Sequence, residues 1–152
     1  MKLIGTEKDQ LLLQFGRREK ELLQTLLQRY PRVPPSHHKL SKSPTLDPAN
    51  QHLLDEALAE HRAENHKQLS SLLTDPRRWT EHHPGWRLSL ARGEVEWLLQ
   101  VLNDIRVGSW VLLGSPEEHL EVLDENTAPH VWAMEIAGSF QMALLHLLEG
   151  LS

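Results

Sequence analysis

Thirty leucines stand against seven valines and three isoleucines in this chain, and that imbalance limits its possible folds more than any other feature. Leucine branches at Cγ and keeps most of its rotamer freedom in a helix, whereas residues branched at Cβ lose it against the preceding turn. A core built from helices is therefore expected. At 152 residues the chain has the length of one domain and buries a core without staples. It has no cysteine, so there is no disulfide framework, thiolate nucleophile or thiolate zinc site.

Periodicity places the elements. Leu11, Leu13 and Phe15 alternate with Leu12 and Gln14, the pattern of a half-buried strand, and Leu3 and Ile4 offer a partner for a hairpin. Residues 17–30 carry Leu22, Leu23, Leu26 and Leu27 on one helical stripe. A Pro-rich loop at 31–47 follows. Asp47-Pro48 opens a second helix to about residue 73, with Leu53, Leu54, Ala57, Leu58, His61, Asn65, Leu69 and Leu72 along one side. Residues 75–86 read as another loop, and Trp86, Leu88 and Leu90 alternate as a candidate third strand at 86–90. The strongest helix signal runs from 91 to 113, closed by Gly114. Ser115-Pro116-Glu117-Glu118 opens a short helix to about 123, and Thr127-Ala128-Pro129 opens a last one that Gly150 closes. No repeat of fixed period emerges. The chain reads as a single domain, residues 1–152, of the mainly α class. Four to five helices form an irregular bundle beside a small amino-terminal β-hairpin.

The net charge of −5 is unevenly spread. Residues 1–92 hold 15 Lys and Arg against 11 acids, while residues 93–152 hold Arg106 alone against ten. The acids alternate with apolar residues, as on a solvated helix face, and nucleic acid is disfavoured as a partner of the second half. The first ten residues lack the apolar run of a signal peptide, and the uninterrupted apolar runs are too short for a spanning helix. A cytoplasmic protein without a membrane partner is the expectation, with a homo-oligomer open.

No catalytic or cofactor motif is present. Glu56, Glu60 and Glu64 form an i, i+4 ladder beside Arg62 and Lys67, and His61 and His66 fall on different faces, so this helix presents a polar surface and not a ligand set. His37-His38 and His82-His83 lie in the loops without a carboxylate at ligand spacing, and no metal is expected. Arg17, Arg18 and Lys20 stand at a helix start, where the macrodipole prefers anions. Such placement marks an anionic partner or, as read here, a small tolerated cost. The best candidate is on the helix at 91–113, where Asn103 and Arg106 share a side with Trp110 and adjoin Asp104. Polar groups at the margin of so apolar a helix need partners, so these residues form a structural network or an interaction site.

The run Trp97-Leu98-x-x-x-Leu102-Asn103-Asp104-Ile105-Arg106, followed by Leu113-Gly114 and a final apolar helix, resembles a bacterial family labelled as a domain of unknown function (family number two-zero-one-seven). The likeness covers about residues 88–150. It implies no established activity; genes of that family often lie beside a ClpS-type adaptor of the Clp protease, which implies a link with regulated proteolysis. The reading is a non-enzymatic interaction or regulatory protein that binds another protein, with no cofactor. A nucleic-acid-binding regulator using the basic first half is the first alternative, and an unrecognised enzyme or metal protein the second.

Overall fold

A computed structural model describes residues 1–7, 9–32, 48–116 and 124–150. In chain order its elements are β1 (Lys2–Glu7), β2 (Gln10–Phe15), α1 (Arg17–Leu27), α2 (Pro48–Thr74), β3 (Trp79–His82), β4 (Gly85–Ala91), α3 (Arg92–Leu112) and α4 (Ala128–Glu149). The strands form one antiparallel sheet in the order β1-β2-β4-β3. Of the described residues 64% are helical and 18% lie in strands, which makes the fold α+β. This corrects the mainly α expectation. The hairpin is half of a four-stranded sheet, and the candidate strand at 86–90 is β4, at its centre. The leucine bias misled because Leu11, Leu13, Leu88 and Leu90 fill the covered face of the pleat, where alternate burial outweighs rotamer preference. The second loop also begins a strand. Buried Trp79 meets Phe15 edge-on at 5.2 Å and donates its indole N–H to the Leu72 carbonyl at 3.0 Å.

Local chemistry sets the junctions. Glu19 accepts the Gly16 N–H at 3.0 Å, and Glu94 accepts that of Ala91 at 2.9 Å, so each strand-to-helix corner is closed by a glutamate reaching back to the residue before the helix. Arg78 pairs with Glu94 at 2.5 Å. Gly114, at φ 89°, ends α3 with the paired bonds Gly114 N–H to Val111 and Ser115 N–H to Trp110, both 3.0 Å. Lys20 lies over the Trp86 ring at 3.4 Å. All but Ser115 and Pro116 of the short helix expected at 115–123, and most of the Pro-rich loop, fall outside the described residues.

A repeat that periodicity missed is plain in the fold. Strand β2 begins at Gln10 and β4 at Gly85; α1 begins at Arg17 and α3 at Arg92; α2 ends at Thr74 and α4 at Glu149. One offset of 75 residues relates all three pairs, so the chain folds as two copies of a ββαα unit. The same offset aligns identical residues: Leu13 with Leu88, Arg17 with Arg92, Glu19 with Glu94, Leu23 with Leu98, Leu27 with Leu102 and Leu69 with Leu144. Each of the four leucine pairs is buried in both copies. In the β2–β4 register Leu13 stands opposite Leu88, which places the local two-fold axis between equivalent residues. The central strands join the copies into one sheet over one core.

The copies differ in their first helix. Helix α1 stops at Leu27, four residues before Pro31, whose ring cannot continue it; α3 runs on to Leu112. The extra turns of α3 lie antiparallel on α4. Gln141 Nε2 reaches the Leu99 carbonyl at 3.5 Å, and a Cβ on Gly138 would meet Arg106 Cδ at 3.8 Å. Buried Gly108, Ser109, Ala133 and Ala137 are the small residues of this helix pair. Among the described residues nothing equivalent covers the start of α2: none of residues 48–64 is buried, and Leu53 is 62% exposed. Helix α4 is long and apolar enough, by length and composition, to cross a membrane. Here it packs on α3.

Candidate functional site

The four candidate residues of α3 do not converge. Asn103 and Arg106 are exposed and satisfy one another, Arg106 Nη2 donating to Asn103 Oδ1 at 3.1 Å. Asp104 is half-buried on another side of the helix and accepts the backbone N–H of Arg32 at 2.7 Å. Trp110 is 37% exposed and donates its indole N–H to the Pro116 carbonyl at 2.9 Å, fastening the chain beyond α3. The tie from this helix to a distant segment runs through Asp104. Arg106 borders an open groove on α4 with Gly138, Met142 and Leu145.

A second polar cluster, which sequence reasoning did not assemble, joins the segment that follows α1 to α2, α3 and α4. Buried Asn65 donates Nδ2–H to the Tyr30 hydroxyl at 2.8 Å and accepts the Trp97 indole N–H on Oδ1 at 3.0 Å. Its signal was present: Asn65 stood in the apolar row of α2, where an amide must find partners. Nearby, Arg32 Nη2 lies 3.2 Å from His130 Nδ1, and Arg29 covers the Trp132 ring at 5.1 Å. Burial holds the His130 imidazole below its ordinary range, and the positive charges of Arg32 and Arg29 push it the same way. A neutral His130 that carries its proton on Nε2 accepts from Arg32 at Nδ1. Burial, then Arg29, also lowers Arg32, whose Nε has no hydrogen-bond partner among the described residues. No sequence pattern links Arg32 to His130, because their contact depends on how α1 ends against α4.

Neither cluster pairs a nucleophile with a base. Among the described residues no three His, Asp or Glu side chains stand together as a metal set. His66 meets the Tyr30 ring edge-on at 5.4 Å, and His61 is exposed. His37 and His38 lie outside the described residues.

The clearest unmatched surface is on α2. With the 75-residue offset, Leu58, Ala59, Arg62 and Ala63 stand where α4 has Ala133, Met134, Ala137 and Gly138, the stretch that receives the second half of α3. Asp55, Glu56, Glu60 and Glu64 surround this stretch with acid, against Arg62.

In comparisons with family models, curated proteins and solved structures, no match to this chain was found.

Proposed function

We propose that this chain is a protein-interaction module whose second helix receives an amphipathic helix from another protein. One observation carries the reading. The amino-terminal stretch of α2 lies uncovered among the described residues, whereas its counterpart in α4 is covered by an antiparallel helix. Two features point to the chemistry of the partner. In α3 the covering segment is apolar and carries Arg106, which lies against Gly138. The receiving stretch of α2 is acidic, so a helix with leucine-type anchors and basic flanks complements it, whereas a second α2 would meet its own charge. Binding here needs no catalytic group.

The test is fluorescence anisotropy with an 18-residue Leu/Lys amphipathic helix and a Leu/Glu control. The basic helix is expected to bind and the acidic one to fail. Ala59→Lys with Ala63→Lys, both at exposed helical positions, is expected to weaken binding about tenfold or more while leaving the melting temperature unchanged. Equal binding of both peptides, or no effect of the double substitution, refutes the reading.

A further inference from the structure

The two-fold repeat supplies the same sheet corner twice, and the sequence has specialised one of them. At this corner the end of β2 and the start of α1 meet the β3–β4 turn around an open cleft of about 560 Å³. Two guanidinium groups and two imidazoles line it, from Arg17, Arg87, His82 and His83, and no carboxylate does. Among the described residues none of the four forms an ion pair. Arg87 is oriented by Gln14, directly opposite it in the sheet, whose Oε1 accepts the Arg87 Nε–H at 3.3 Å. The terminal nitrogens of Arg87 are thereby left for another acceptor.

The equivalent corner shows that the fold does not require this charge. There Arg92 takes the place of Arg17, but Leu12 replaces Arg87, and Glu7-Lys8-Asp9 stands in the sequence where His82-His83-Pro84 does. One corner is therefore lined by cationic side chains without a carboxylate, whereas its counterpart sets Glu7 and Asp9 against Arg92 and Lys8 in the sequence. Gly85 shapes the cationic one: a Cβ at that position would fall 2.1 Å from the Phe15 carbonyl oxygen, so no side chain fills the floor. The charge at Arg17, unfavourable for an isolated helix start, becomes favourable once an anion lies in the cleft.

We infer that this cleft binds the phosphate group of a small phosphate monoester. Arginine's planar fork of donors matches phosphate oxygens two at a time, and the imidazoles add donors when protonated. The cleft's volume is in the range of small-molecule sites, roughly 300–1,000 Å³, and the β3–β4 turn forms part of its wall.

The experiment is a titration of ¹⁵N-labelled protein with inorganic phosphate and with glycerol 3-phosphate, chloride keeping the ionic strength fixed. Both ligands are expected to shift amide signals at residues 14–17 and 82–87, and to leave residues 7–10 and 89–92 unmoved. The ester is expected to bind at least as tightly as phosphate. Arg87→Gln is expected to raise the Kd about tenfold or more, the loss of a charge-assisted pair. Arg17→Gln, at an exposed position that does not hold the sheet together, is expected to do the same. Shifts at both corners, exclusion of the ester, or an unchanged Kd in Arg17→Gln would each overturn the assignment.

Discussion

Asn103 and Asp104 are neighbours with opposite roles, and stability measurements separate them. Asn103 is exposed and bonds within its own helix, so Asn103→Ala is expected to change stability by less than about 0.5 kcal/mol. Asp104→Ala leaves the Arg32 amide without its carboxylate and is expected to cost about 1–3 kcal/mol in urea unfolding, with Asp104→Asn recovering part of the loss. His130 gives a pH signature. Its folded value lies below the ordinary 6.5, so the unfolded chain takes up a proton that the folded chain refuses. Stability present above pH 6.5 is therefore lost as the pH falls towards the depressed folded value. Thermal melts between pH 7.5 and 5.5 should show this decline, and His130→Asn, which keeps an acceptor but does not titrate, should flatten it. A wild-type slope in the variant would assign the decline to other groups. The α3 row was legible in the sequence as polar residues on an apolar helix. Which of them reaches a distant partner was not, because helical spacing gives a residue's direction and not what stands opposite.

The contrast between α2 and α4 makes Asn65 the decisive anchor at the scale of elements. Helix α2 buries Leu69 and Leu72 near its end, and Asn65 is its bridge to Tyr30 and Trp97. Asn65→Ala strips partners from both aromatic residues and is expected to cost at least about 2 kcal/mol. Amide exchange along 65–74 should accelerate with it; unchanged exchange there would show that Leu69 and Leu72 suffice. Helix ends were largely legible, since Pro48, Gly114, Thr127-Ala128-Pro129 and Gly150 act within a turn of the backbone they terminate. Strand β3 was not. Its four residues hold one buried side chain, and the strand owes its place to pairing with β4.

For the whole molecule, the two-fold repeat makes a prediction about half of it. Residues 76–152 alone would carry β4 with an open edge and leave Leu88 and Leu90 uncovered where β2 now pairs. A second copy can take the place of β2, setting Leu88 against Leu88 on the axis. Sedimentation of this half is expected to show a dimer. A folded monomer would mean that α3 and α4 alone cover the sheet.

Residues close in sequence determined the helix caps, the alternation of Leu11, Leu13 and Phe15, and the charge difference between the halves, because those effects act over one or two turns. Tertiary structure decided the rest. Leucine packs as readily on a pleated face as on a helix, so composition could not choose between bundle and sheet until the strands met. The repeat was hidden for a related reason: at an offset of 75 most side chains have changed, and what persists is which positions are buried. Burial is settled only when the two copies close over one core. The two sheet corners then differ through a few residues brought together from separate segments, an arrangement that no local pattern in the chain contains.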